Sequence, residues 1–369
     1  MKEETVLGKT YFLYFVILSM LVLFRILASV GTFSFLGGAA DYIFTFVVQI
    51  LVLFGISVFG FSRLTGKSKK MVLNEYNFQK ISKKSIFLCV LMGIIVYFLN
   101  SYIASFFYYL MSLFGYSGAG AVAIADTYPI WLLLINIVFT AVLPAVCEET
   151  VHRGMLLSQI KKQNVWKAVL ISSLLFGLLH INIYQFFYAT ILGVLLAILT
   201  LSTKSIYPAM IVHFMNNAIN VYMTFASANN LFSVKAVSFI YALGAGNNFL
   251  SVLFLLLFFA FLVLCLYVLY IELCKETARK SISKLQEGLG RFLARKIYFE
   301  ELSDVKNNIP LKGEKEIELS VIKDYIEKNS DEAVVNVPEK GDFKSKLFFF
   351  GILAIGVVCT IFTFVWGII

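Results

Sequence analysis

Nine apolar stretches, near residues 11–34, 43–62, 86–114, 129–150, 164–182, 184–201, 207–225, 248–271 and 347–367, leave this chain one class of fold. Each is built mainly of Leu, Ile, Val and Phe and runs for about 20 residues, the length at which an α-helix crosses the hydrocarbon core of a bilayer. Alternating ten-residue segments, the mark of a membrane barrel, are absent. Composition agrees: 60% of the residues are hydrophobic and only 14% charged, against roughly 45–50% and 25% in a soluble domain. The first stretch is too long for the apolar core of a signal peptide, and no small-residue cleavage pattern follows it. The expectation is an all-α, polytopic transmembrane helical bundle of about 8–9 spans.

The formal net charge of +9 is not a nucleic-acid signal, because its distribution follows topology. Lys and Arg number seven in the 63–84 loop, four in 153–167, one in 202–206 and fifteen in 275–346. The intervening loops carry none apart from Lys235. This alternation places the N-terminus and the basic loops in the cytoplasm of a multi-pass cell-membrane protein, and nine spans then put the C-terminus outside. The 63–84 loop reads either as a solvated connection or as a segment lying on the anionic inner surface. The five cysteines lie in or beside spans with no CxxC, so neither a disulfide framework nor a zinc cluster is indicated.

The chain divides into N-terminal transmembrane helices (1–125), a core holding all three histidines (126–225), an external loop and span (226–274), a cytoplasmic insertion (275–346) and a C-terminal span (347–369). The insertion opens with a basic, helix-periodic stretch, Lys275 to Lys296, suited to an amphipathic juxtamembrane helix. Its later part contains Pro310 and Pro338, and the insertion is a candidate surface for a cytoplasmic partner. No internal repeat is evident.

Three short pieces in the core carry polar groups where polar groups are costly, about 2.5–3.5 kcal/mol per charge at the bilayer centre on insertion scales. The first is Glu148-Glu149-x-x-x-Arg153. On a helix Glu149 and Arg153 are four apart and can pair. Glu148 is turned about 100° away, which leaves a carboxylate in apolar surroundings, a condition that suits a general base. Taken alone, the cluster also fits a charged mark at the membrane edge. The second is Phe176-x-x-x-His180, whose histidine is equally a hydrogen-bonded core residue. The third is His213-x-x-x-Asn217, which puts two donors on one face, as a developing oxyanion needs; it fits interhelical hydrogen bonding equally well. Pro144 is expected to kink the fourth span. Glu148 and His180 each lie sixteen residues from Asn164 in the intervening turn, so both stand about 24 Å from it. His213 lies about 12 Å up its own helix. The levels match if the first hairpin projects into the cytoplasm, which places the site in the inner half of the membrane.

The ordered set Glu-Glu-x-x-x-Arg, Phe-x-x-x-His and His-x-x-x-Asn on successive membrane helices resembles the CAAX protease and bacteriocin-processing (Abi) family of intramembrane proteases, over residues 126–225. The resemblance implies peptide hydrolysis inside the membrane, with the family's glutamate, histidines and asparagine falling on Glu148, His180, His213 and Asn217, and supporting roles on Glu149, Arg153 and Phe176. His152 departs from the family's usual aromatic or aliphatic residue and is expected to reach the cytoplasmic surface. In the hydrolytic scheme Glu148 and His180 activate a water, and His213 and Asn217 hold the oxyanion, with no metal. The alternative is a zinc site of Glu148, His180 and His213 with an open water position. His-Glu-x-x-His, Gly-x-Ser-x-Gly and Gly-x-Gly-Asp do not occur. The expected partners are the lipid bilayer and a peptide or membrane-protein substrate. Two other classes compete: a non-catalytic immunity or scaffold protein that binds a peptide in the same cavity, and an ion-coupled transporter that relays protons through it.

Overall fold

A computed structural model describes residues 5–118, 128–244, 249–306 and 343–368. The described residues form eleven helices and no strand. In chain order they are α1 (Val6–Ser29), α2 (Phe35–Thr65), α3 (Lys69–Glu75), α4 (Lys83–Ser112), α5 (Ile130–Ile160), α6 (Val165–Leu179), α7 (Ile183–Thr203), α8 (Tyr207–Ala228), α9 (Phe232–Gly244), α10 (Phe249–Lys306) and α11 (Phe343–Trp366).

Seven of these, α1, α2, α4, α5, α7, the first part of α10 and α11, are long and apolar enough to cross a membrane. The protein is a multi-pass membrane protein with a helical bundle. Two of the nine expected spans differ. Helix α6 has 15 residues, about 22 Å of rise against a core of about 30 Å. The apolar run 164–182 overstates it, because its last three residues, His180 to Asn182, turn the chain. Helix α8 has 22 residues, but His213, Asn216, Asn217 and Asn220 make it too polar for an independent span.

The helix boundaries follow from local chemistry. Thr5, Ser82, Asn164 and Asn182 cap α1, α4, α6 and α7, each side-chain oxygen accepting a first-turn N–H. Between α6 and α7, Ile181 takes a left-handed conformation at φ 47°, which reverses the chain within three residues. Helix α5 remains continuous through Pro144. It absorbs the proline with a π-helical stretch before it, Ile137–Val142, and widens again at Thr150–Leu156.

Contacts divide the chain into two units, Met1–Leu273 with Glu339–Ile369, and Cys274–Pro338. In the first, α11 runs parallel to α1, with ring contacts Tyr11–Phe349 and Phe12–Phe348 and a Thr5–Ser345 hydroxyl pair. In the second, the chain from Cys274 to Lys306 is helical, as expected for the opening of the insertion. The later part, with Pro310 and Pro338, lies outside the described residues.

The 66–82 connection is tied to the helix ends around it. Glu75 bonds Lys67 and Lys162 at 2.6 Å each and accepts from Gln159 at 3.0 Å. Burial would push the Glu75 carboxyl up, but these three hydrogen bonds prevail and hold it at about 2. Tyr76, fully buried, donates to the Ser57 carbonyl at 2.7 Å and lies over Gly154, where any Cβ would come within 2.9 Å of its ring. Ser205 and Ile206 bond the carbonyls of Gln79 and Asn77. The segment thus closes the basic ends of α2, α5, α7 and α8.

Candidate active site

Glu148 lies one turn after Pro144 on α5, and its position follows from that proline. Pro144 has no N–H to offer the carbonyl of Thr140 four residues earlier. Asn217 on α8 takes the freed acceptor, its Nδ2 donating to Thr140 O at 3.3 Å. Glu148 itself is buried, and Gln49 on α2 donates Nε2–H to its Oε1 at 2.9 Å. Its other oxygen, Oε2, is buried with no hydrogen-bond partner. A buried carboxylate with one oxygen fixed and one open has the form a base needs to hold a water.

Glu149 faces the other way. Its carboxylate meets Arg153, the expected partner, at 3.2 Å from Nε and 3.3 Å from Nη1. It also accepts from His213 Nδ1 at 2.9 Å, a contact that spacing along α5 did not reveal. A carboxylate only accepts, so Nδ1 carries the proton and Nε2 is the remaining polar atom of His213. Arg153, completely buried, donates a further bond to Gly193 O at 2.8 Å. Glu149 therefore ties α5 to α8, and Arg153 ties both to α7.

Phe176 stands at the centre of this arrangement. Its ring meets the imidazoles of His152, His180 and His213 edge-on, with centroids at 5.1, 5.3 and 5.5 Å, and the Arg153 guanidinium sits over it at 4.6 Å. One aromatic side chain thus sets the position of three imidazoles. Helix α6 can bring it there because Gly177, its neighbour, lets α7 approach until a Cβ would overlap Thr190 Oγ1 and come within 2.8 Å of the Phe186 carbonyl. His180, at the end of α6, is half-buried, and among the described residues no hydrogen bond holds its ring nitrogens.

His152 does not reach the cytoplasmic surface. It is completely buried, with Nδ1 2.8 Å from the Glu148 carbonyl and Nε2 3.3 Å from the Tyr14 hydroxyl. The carbonyl requires a protonated Nδ1, so in the neutral ring Nε2 is an acceptor, and Tyr14 divides its proton between that nitrogen and Leu175 O at 2.8 Å. The wide turn Thr150–Leu156 carries His152 inward, toward Tyr14 and Phe176.

A row of amides leads to Asn217. Asn100 on α4 donates to Asn216 Oδ1 at 3.2 Å, Asn216 donates to Asn217 Oδ1 at 2.9 Å, and Asn217 donates to Thr140 O. All three bonds run in the same donor-to-acceptor sense. The row fixes which end of the Asn217 amide is nitrogen, and leaves its second N–H for another acceptor.

Glu148, His180, His213 and Asn217 line one cavity of about 520 Å³ between α4, α5, α6, α7 and α8. Phe176 also lines it, whereas Glu149 and Arg153 stand behind it. The rest of the wall is neutral: amides, hydroxyls, and the phenols of Tyr97, Tyr184 and Tyr188. Sequence spacing missed Gln49, Asn100 and Tyr14. Gln49 had left a trace, as a lone amide in the otherwise apolar run 47–56. Among the described residues no three His, Cys, Asp or Glu side chains gather as a metal site.

Comparison with known proteins bears on these same helices. Residues 129–219, from the start of α5 to the middle of α8, match the family model described as type II CAAX prenyl endopeptidase, Rce1-like. No curated protein and no solved structure matches the chain. The matched stretch carries all four of the residues that converge on the cavity from α5, α6 and α8, so it is this part of the chain that is similar to the CAAX prenyl endopeptidases.

Proposed function

We propose that this protein is an intramembrane endopeptidase that hydrolyses a peptide bond of a membrane-associated peptide or protein. The observation that carries the reading is the convergence of Glu148, His180, His213 and Asn217 on one cavity. Glu148 Oε2, the unpartnered oxygen, takes a proton from a water held between it and His180. The resulting hydroxide adds to the carbonyl carbon and moves the C=O electron pair onto oxygen. The oxyanion accepts N–H bonds from Asn217 and from His213, whose ring is held through Nδ1 by Glu149. The proton on Glu148 passes to the leaving nitrogen as the C–N bond breaks, which gives one carboxylic acid and one amine and returns the carboxylate.

The wall supports an internal bond as the target. Among the described residues Glu148 is the one Asp, Glu, Lys or Arg lining the cavity, so no lysine or arginine there pairs with a free terminal carboxylate, and the amides and phenols suit the polar backbone of an extended chain. The route needs no metal.

Comparative peptidomics of membranes carrying the wild-type protein, Glu148→Gln or His180→Ala tests the reading. Peptides whose new termini appear only with the wild type are expected, with each substitution removing them while the protein still folds and inserts. Identical peptide populations in all three would refute it.

A further inference from the structure

We infer that the cavity is entered from the face of the membrane opposite the basic loops, so that the substrate is a polypeptide segment presented from the non-cytoplasmic side. The inference rests on the endopeptidase reading for its substrate but not for its geometry.

Bonds on the basic face bring several helix ends to one level: Gln159 and Lys162 to Glu75, Ile206 to Asn77, Ser205 to Gln79. Heights above that level follow from 1.5 Å of rise per residue. On α8, His213 stands about 10 Å up and Asn220 about 21 Å. On α5, Glu148 stands about 18 Å above Ile160 and Thr140 about 30 Å. Tyr184 is about 28 Å above Thr203 on α7, and Ser105 about 33 Å above Lys83 on α4. All of these residues line the cavity, and His213 is the lowest of them.

Exposure rises along the same direction. Glu148, Phe176 and His213 at the base are buried, whereas Ser105, Thr140, Tyr184 and Asn220 at the top are exposed. Below the base there is no passage: Arg153, Met155, Leu156 and Ile160 are completely buried, and Tyr76 packs on Gly154 beneath them. The opening is rimmed by hydroxyls and amides, so it admits water rather than lipid tails. The basic face is the cytoplasmic one by the distribution of Lys and Arg. Among the described residues, a cytoplasmic tail would have to displace the packed 66–82 segment to reach Glu148, while a segment descending from the other side meets the exposed polar side chains of Ser105, Thr140, Tyr184 and Asn220.

Thiol labelling decides the direction without any need for cleavage. Cys265, Cys274 and Cys359, the partly exposed cysteines, are replaced by Ser, and single cysteines are introduced as Ser105→Cys, Asn220→Cys and, on the basic face, Lys70→Cys. A membrane-impermeant maleimide is applied to right-side-out and to inverted membrane vesicles. Ser105→Cys and Asn220→Cys are expected to react in right-side-out vesicles and to be protected in inverted ones, with Lys70→Cys showing the reverse. Labelling of the two cavity positions from inverted vesicles, or from neither orientation, overturns the inference. The same pattern is expected in a Glu148→Gln background, so failure here leaves the peptidase reading standing, and a protein that cleaves nothing leaves the access result standing.

Discussion

Glu149 is the residue whose removal separates the structural role of the ion cluster from its chemical one. Its carboxylate has three close contacts, at 3.2 and 3.3 Å from Arg153 and 2.9 Å from His213, with no exposure to solvent. In Glu149→Gln the buried Arg153 cation loses its nearest carboxylate and keeps the Gly193 carbonyl at 2.8 Å, the face of Phe176 and the more distant charge of Glu148. Breaking a buried pair from one side costs about 3–5 kcal/mol, because the uncompensated charge remains in place. The second substitution, Arg153→Met, removes that charge and fills much of the same volume. Replacing both members of a buried pair with neutral groups is often neutral or stabilising, so Glu149→Gln/Arg153→Met is expected to regain most of the lost stability. Cleavage is not expected to return, because the amide at 149 can turn its NH₂ toward His213 Nδ1 and so no longer fixes that nitrogen as a donor and the ring in its place. Denaturant titration of the purified protein in detergent gives the stabilities, and cleavage of a peptide identified by the peptidomic comparison gives the activity. A loss below about 1 kcal/mol in the single variant, or recovery of cleavage in the double, would sink the reasoning.

Two further outcomes follow from contacts outside the matched stretch. Gln49→Leu removes the donor to Glu148 Oε1; a hydrogen bond to a charged group contributes about 1.5–3 kcal/mol, so cleavage should fall about 10- to 100-fold, and a rate equal to wild type would show that Glu148 needs no second anchor. The Glu75 carboxyl, held at about 2 against an ordinary 4.5, stabilises the folded protein above pH 4.5, and that contribution drains away as pH falls and is gone below pH 2. After allowance for solvent screening it amounts to about 2 kcal/mol. Glu75→Gln should therefore be less stable at pH 7 and converge with wild type between pH 4.5 and 2; a constant gap across that range, in unfolding followed against pH, counts against the clamp.

Much of the site was legible because its chemistry repeats at helical spacing. Glu149 with Arg153, Phe176 with His180, and His213 with Asn217 are each four apart, and equal counts on either side of Asn164 set Glu148 and His180 at one height. What the sequence hid were the contacts between helices distant in the chain. Nothing local to Gln49 says that it reaches across 99 positions to Glu148, or that Asn100 begins a row of amides ending at Thr140. His152 misled for a related reason: one residue from an arginine, it reads as a surface histidine, and only the wide turn of α5 carries it inward. Two of the apolar stretches fall short of a full span by length or composition: α6, where hydropathy ran on through a turn at 180–182, and α8, whose cavity-lining face carries His213 and three amides.

The missing N–H of Pro144 reaches further than the shape of one helix. It leaves a backbone acceptor, Thr140 O, about two turns ahead of Glu148, and the Asn217 carboxamide hangs on that acceptor. Glu148 and Asn217, the base and oxyanion donor of the proposed mechanism, are thereby indexed to a single gap in the ladder of α5. Sliding the proline by one position along the helix would swing its vacancy through about 100° and away from Asn217.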